Sequence, residues 1–226
     1  MRDDARQMIL ERSALFCGVS PEALTKISRA AQHRHLARSA KLTNEGGRAD
    51  FVHLIVSGSF KLSAIGNEGS VITLKFAREG DVVGEANVLG GEPYSVTATA
   101  MSNGETLYWP STIFEQLAQE IGQLALNCVA LAVRREQQMV RRICASLGDT
   151  VERRIAGALA ELAAVESSSA DDLLQVGGRD LAELSDTTVY TVSRVIAAWK
   201  RAGVIAGGRG RITVIDLKRL LRISQI

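Results

Sequence analysis

The stretch that most constrains this chain is residues 180–200, where the apolar positions set the register of two short helices joined by a tight turn. Leu181 and Leu184 form one face of the first helix, and Val192, Val195, Ile196 and Trp199 recur at helical spacing in the second. That register turns Val189, Tyr190, Ser193, Arg194 and Ala197 outward. Two amphipathic helices with a polar turn occur in many all-α domains, so the residues that follow carry weight. Gly203-Val204-Ile205 ends the second helix, and Gly207-Gly208-Arg209-Gly210-Arg211 is a basic, glycine-rich turn leading into the β-branched run Ile212-Thr213-Val214-Ile215. Helix, helix and basic hairpin predict a winged helix-turn-helix, whose second helix enters the DNA major groove.

The charge distribution agrees. Residues 172–226 hold nine Lys/Arg against five acids, net +4, which leaves −2 for the rest of a chain whose total is +2. A basic terminal module on a slightly acidic body suits phosphates better than a membrane or an acidic metabolite. The candidate DNA-binding residues are Val189, Tyr190, Ser193, Arg194 and Lys200 on the second helix, with Arg209 and Arg211 on the wing. The guanidinium fork of Arg194 fits the O6 and N7 acceptors of guanine, whereas the wing arginines are expected on phosphates.

With 226 residues, 46% hydrophobic and 23% charged, the chain divides most naturally into two domains. Mixed charges at the start and the lack of a long apolar run argue against a secretory signal, and the longest apolar stretch, 124–133, is broken by Asn127 and too short for a bilayer. The expected address is the cytoplasm, with no membrane partner. Cys17, Cys128 and Cys144 are widely spaced without a Cys-x-x-Cys pair, which speaks against a disulfide framework, a structural zinc or an iron–sulfur cluster; buried thiols are expected. His33, His35 and His53 are unclustered, although His33 and His35 alternate and would share one strand face, and no metal site is assigned. No Ser/His/Asp constellation, phosphate loop or paired-carboxylate motif points to an enzyme.

Residues 51–109 read as β-rich, with strand-like runs at 51–56, 59–65, 70–76 and 94–100 separated by Ser57-Gly58, Gly66-Asn67-Glu68-Gly69, Glu79-Gly80-Asp81 and Gly90-Gly91-Glu92-Pro93. Short strands punctuated this way predict a sandwich or barrel. Before them, 21–31 reads as a helix with Ser20 as N-cap and Pro21 at its first position. No proline interrupts 111–147, where Ile121, Leu124, Cys128 and Leu131 fall at spacings of three, four and three, as in a coiled-coil dimer seam. The bland alternative is a helix packed on its own domain. A further helix is expected at 151–164.

A helical start, a β-roll, a long helix and a terminal winged helix-turn-helix resemble the Crp/Fnr family of bacterial transcription regulators. The carriers are Leu15-Phe16-x-Gly18-Val19-Ser20-x-Glu22-x-Leu24, Val56-Ser57-Gly58-x-Phe60-Lys61-Leu62, Glu79-Gly80-Asp81-Val82-Val83-Gly84-Glu85, Thr191-Val192-Ser193-Arg194 and Ile212-Thr213-Val214-Ile215-Asp216. The resemblance implies an α+β chain. Its parts would be a cyclic-nucleotide-binding-like β-roll that takes an effector at 1–119, a dimerisation helix at 120–148 and a winged helix-turn-helix at 149–226. It further implies a homodimer that binds double-stranded DNA sequence-specifically and works with RNA polymerase. A regulatory module acting through protein partners is the alternative.

Cyclic-nucleotide binders of that family hold the ribose with a Gly-Glu element and the cyclic phosphate with an Arg-Ser or Arg-Thr pair about ten residues on. Here Gly84 and Glu85 match the first part, but the second reads Tyr94-Ser95-Val96. A buried phosphate without a cation is costly, so cyclic AMP is not the expected effector, and Glu85 is read as capping backbone groups. Leu131, Met139 and Val140 complete the expected effector pocket and suit a small apolar or planar molecule, haem included. The identity of the effector is otherwise open. In the recognition helix Tyr190 departs from the common carboxylate, and Asp186 occupies a turn position where glycine is common.

Overall fold

Ser20 accepts a hydrogen bond from the Ala23 backbone and Pro21 opens the helix that follows, so the second helix, α2 (Pro21–Ala30), starts where its capping chemistry dictates. In this computed structural model, which describes residues 3–66, 69–166, 173–174, 177–207 and 212–225, α2 follows α1 (Asp3–Arg12) and precedes two four-stranded antiparallel sheets. The first comprises β1 (Gln32–Leu36), β3 (Phe51–Ser57), β6 (Val82–Val83) and β8 (Gly104–Pro110) in the order β1-β8-β3-β6. The second comprises β2 (Lys41–Thr43), β4 (Phe60–Ile65), β5 (Val71–Ala77) and β7 (Thr97–Ala100) in the order β2-β7-β4-β5.

The first sheet carries buried apolar side chains on both faces. One face presents Leu36, Ile55 and Val83 to Leu42, Phe60, Ala77, Ala98 and Ala100 of the second sheet. The other presents Val52, Leu54, Leu107 and Trp109 to Leu10, Phe16, Leu24 and Ile27, and the Trp109 indole donates to the Ile27 carbonyl at 2.9 Å. Strands β6 and β8 lie in the stretch expected to be β-rich but outside its named runs, β2 was not expected, and β1 was anticipated only as a strand face shared by His33 and His35. The run expected at 94–100 is strand only from Thr97, because the Tyr94 backbone pairs with Gly46 and Gly47 of a loop instead.

The helix expected at 111–147 breaks at Ile121, whose φ of −113° and ψ of 86° leave the helical region, giving α4 (Ser111–Glu120) and α5 (Gly122–Gly148). The dimer seam expected at Ile121, Leu124, Cys128 and Leu131 needs correction. Leu124 and Cys128 are 0% and 4% exposed and lie in the core beneath the first sheet, with Ile121 and Leu131 half-buried against it. Asn127, on the same side, donates to the Leu15 and Cys17 carbonyls at 2.8 Å each. The exposed apolar residues of α5 are others, beginning with Leu126, Val129 and Val133 at 64%, 62% and 44%.

Contacts divide the chain into two units, Met1–Gln138 and Met139–Ile226. The second contains α6 (Val151–Glu166), α7 (Gly178–Leu184), α8 (Val189–Arg201) and α9 (Leu217–Gln225). A small antiparallel sheet of β9 (Leu173–Leu174), β10 (Ile205–Ala206) and β11 (Ile212–Val214) runs in the order β10-β11-β9. The buried side chains of this second unit include Ile155, Leu159, Leu181, Val192, Trp199 and Leu220. The expected wing turn, with Gly208, Arg209, Gly210 and Arg211, and the serine-rich 167–172 lie outside the described residues. Among the described residues, no helix is long and apolar enough to cross a membrane.

Inside the first unit, His53 is buried between the rings of Phe51 and Tyr108, and its Nδ1 has no hydrogen-bond partner among the described residues. Burial pushes its imidazole down to about 3, and the nearby positive charge of Arg34 acts in the same direction. The unfolded chain therefore takes up a proton below pH 6.5 that the folded one refuses down to about pH 3. The His53 contribution to stability is complete above pH 6.5 and is lost as pH falls through that window, by up to about 1.4 kcal/mol per pH unit. Urea unfolding of the parent and a His53→Leu variant at pH 7.5, 6 and 5 should show the parent losing stability faster as acid is added. Parallel losses would mean that the imidazole titrates in the folded protein.

Candidate functional site

In the second unit, Thr188 caps α8 by accepting from the Thr191 backbone at 3.1 Å, which puts Val189 and Tyr190 in the first turn of the helix. Val192 and Trp199 are buried beneath it, Val195 and Ile196 are half-buried, and the Trp199 indole donates to Glu152 Oε1 at 3.0 Å. Val189, Ser193, Arg194, Ala197 and Lys200 are exposed, and Tyr190 is 79% exposed. The structure thus gathers a phenol, a hydroxyl and a guanidinium on one free helical face. Arg209 and Arg211 lie outside the described residues, so their position relative to this face is not assigned.

The turn between α7 and α8 is held by a residue that sequence reading passed over. Arg154 of α6 donates through Nε to the Ser185 carbonyl at 2.9 Å, through Nη2 to the Asp186 carbonyl at 3.0 Å and through Nη1 to the Asp149 carbonyl at 3.1 Å. Arg142 adds a bond to the Leu184 carbonyl at 3.1 Å. Asp186 adopts φ +48°, the left-handed conformation that its place in the turn demands. Five donors in a planar fork allow one arginine to satisfy several carbonyls that a turn leaves unpaired. No local pattern around Arg154 signals its hold on the turn, because Ser185 and Asp186 lie about thirty residues on.

In the first unit, Gly84 (φ +94°) begins α3 (Glu85–Gly90), and a Cβ there would stand 2.8 Å from both the Phe51 carbonyl and the Tyr94 ring. Tyr94 fills the space beside it: its hydroxyl donates to the Phe51 carbonyl at 2.7 Å and accepts from the Phe51 N–H at 3.1 Å. Burial raises the pKa of this phenol. Glu85 is fully buried and does not cap backbone groups as expected. Its carboxylate forms an ion pair with Arg135 of α5, which also donates to the Val82 carbonyl at 2.9 Å. Glu85 Oε2 has no hydrogen-bond partner among the described residues.

Gly84, Glu85 and Tyr94 are therefore brought together, whereas Ser95 is exposed. Leu131 packs on the core of the first unit, and Met139 and Val140 belong to the second and are exposed, so within neither unit do they form one pocket wall. The expectation of three buried thiols holds for Cys128 alone, since Cys17 and Cys144 are exposed. Burial, reinforced by the negative charge of Glu85, pushes the Cys128 thiol up to about 12, so it stays protonated and is a poor metal ligand or nucleophile.

Comparison with known proteins matches both units. Residues 33–121 match the cyclic nucleotide-binding domain, and residues 153–223 match the Crp-like helix-turn-helix domain. The chain is 26% identical over 215 residues to a cyclic AMP receptor protein of Thermus thermophilus, covering 95% of this chain and 98% of the relative. It is 25% identical over 213 residues to the transcriptional activatory protein AadR of Rhodopseudomonas palustris, covering 92% and 88%. Among solved structures it is similar to the Thermus thermophilus catabolite activator protein, with a TM-score of 0.56 and 26% identity over 94% of this chain and 98% of that one. FixK2 of Bradyrhizobium japonicum, at a TM-score of 0.76 and 20% identity over 87% and 98%, shares the fold.

Proposed function

Because the chain belongs to the Crp/Fnr family and is a DNA-binding transcription regulator, we propose that it acts as a homodimer whose α8 reads base edges and whose β-roll answers a small effector other than cyclic AMP. The observation that carries the DNA assignment is the free face of α8, with Tyr190, Ser193 and Arg194 exposed above buried Val192 and Trp199. In this reading Val189, Tyr190, Ser193 and Arg194 meet base edges, and Lys200, Arg209 and Arg211 meet phosphates. The protein acts with RNA polymerase and performs no catalysis. The functional parts we assign are 1–119 for the effector, 120–148 for pairing and 149–226 for DNA.

Tyr94 supports the effector assignment. It stands where the family's cyclic-nucleotide binders carry arginine, its hydroxyl is occupied by the Phe51 backbone, and the nearby cation Arg135 is engaged by Glu85. A cyclic phosphate would lose its hydration there without gaining a cation. Calorimetry with millimolar cyclic AMP should show no saturable heat, and a low-micromolar dissociation constant would sink this part.

For the dimer we replace the seam read from sequence with Leu126, Val129 and Val133. They are spaced three and four apart on the exposed side of α5, and the spacing continues through Glu136, Val140, Ile143 and Leu147, all exposed. A second copy covers this stripe best, because a heptad repeat on a lone exposed helix is matched by an identical partner. Leu126→Glu with Val133→Glu should yield folded monomers by sedimentation, whereas Leu124→Glu should unfold the first unit. A parent chain that is already monomeric at micromolar concentration would rule the pairing out.

On DNA, Arg194→Ala should cost about 1–3 kcal/mol at the specific site and relax preference at one base pair per half-site. Arg209→Ala should weaken all sequences alike and flatten the salt dependence. Binding selections at several salt concentrations decide this. An unchanged motif for Arg194→Ala would transfer base reading to another residue, Tyr190 first, and binding that ignores salt would favour a protein partner instead.

A further inference from the structure

His33 and His35 alternate along β1, so both project from the face of the first sheet that also carries Leu107 and Trp109. Glu105 stands directly opposite His35 on β8, and its carboxylate lies between the two rings. His33 Nε2 is 2.9 Å from Oε2 and His35 Nδ1 is 3.3 Å from Oε1. One donor atom from each of the three residues falls within 4.8 Å of the other two, and the rings meet edge to face with centroids 4.6 Å apart. Neither DNA binding nor the Glu85 region makes use of this cluster.

We propose that His33, His35 and Glu105 form a binding site for a first-row divalent transition ion, with zinc as the type case. Two imidazoles and one carboxylate are the donor set that zinc, cobalt, nickel and copper favour, whereas magnesium and calcium take oxygen ligands. An ion about 2.1 Å from each donor needs donors separated by roughly 3–4 Å, and only small side-chain rotations reach that from the present spacing. The converging nitrogens are Nε2 of His33 and Nδ1 of His35. When both bind metal as neutral imidazoles, the protons reside on His33 Nδ1 and His35 Nε2.

The surroundings suit exchangeable metal. The His33 side chain is 17% exposed and fixed, while that of His35 is 74% exposed and reachable from solvent. An open hollow of about 370 Å³, lined by His35, Glu105, Leu36, Ser57 and Asn103, borders the carboxylate and leaves room for water at the remaining coordination positions. Bound metal would tie the edge strand β1 to β8, which runs directly into α4. Occupancy should therefore register as stability of the first unit.

The test is titration of tag-free full-length protein with zinc and with cobalt(II), read by calorimetry, cobalt absorbance and the thermal midpoint. One ion per chain should bind saturably, raise the midpoint and give a cobalt spectrum without a thiolate charge-transfer band. His33→Ala, His35→Ala and Glu105→Gln should each weaken binding at least about tenfold, the least expected when a direct ligand is lost. Cys17→Ser with Cys144→Ser should leave binding unchanged. The exposed His35 keeps the test valid even if the inner variants fold poorly. Folded parent protein without saturable binding, binding undiminished in His35→Ala, or binding lost with the two cysteines would each overturn the proposal.

Discussion

Burial of apolar side chains on both faces of the first sheet is the constraint from which the rest of the first unit follows. Val52, Leu54, Leu107 and Trp109 point one way and Leu36, Ile55 and Val83 the other, so one face requires a second sheet and the other requires helices. Each such side chain contributes about 1.5–3 kcal/mol when taken out of water. Helices α2 and α4 cover part of the helical side, and the first turns of α5 complete it with Leu124 and Cys128. Asn127 reinforces the arrangement by closing two carbonyls at the end of the N-terminal helical region. Once that face of α5 is committed inward, only the opposite stripe remains for a partner.

The same commitment explains the chemistry beside Gly84. A fully buried carboxylate survives only with a countercharge, and Arg135 reaches Glu85 because the inner face of α5 is held against the β-roll. Tyr94 then occupies the space that the missing Cβ of Gly84 leaves open, with both hydrogen-bonding functions of its hydroxyl used on one backbone residue. The element that resembles a ribose and phosphate cradle is thus filled and charge-balanced by the chain itself. An effector entering here would have to offer more than a phosphate.

Much of this was legible in residue order. The α7–α8 register, the Ser20 cap with Pro21, and the left-handed Asp186 are local matters, set within a few residues by periodicity and turn chemistry. Strand β1 was legible only in the alternation of His33 and His35, because Gln32-His33-Arg34-His35 alternates polar with polar and only Leu36 marks a buried face. The inner face of α5 was misread for a different reason. Residues 124 and 126 are about 200° apart on a helix, so α5 carries apolar series on opposite sides, and sequence spacing scores both alike. Which series meets the core depends on the sheet beneath it. Arg154 on its turn, and Glu105 opposite His35, are long-range pairings of the same kind.

Helix α6 bears on α8 at both of its ends, and this gives the proposed reading face its physical basis. At the start, Arg154 gathers the carbonyls of Ser185 and Asp186 just ahead of the Thr188 cap. Near the other end, Glu152 receives the Trp199 indole, within the last turn of α8. Bidentate contact between a guanidinium and a guanine edge tolerates little displacement, so a side chain such as Arg194 gains from a helix whose axis and rotation are both fixed. Glu152 and Arg154 lie two apart on α6, close enough that one turn of that helix supplies both anchors. The glycine common at the turn becomes dispensable in consequence: an aspartate at φ +48° is held there by the bond that its own carbonyl accepts.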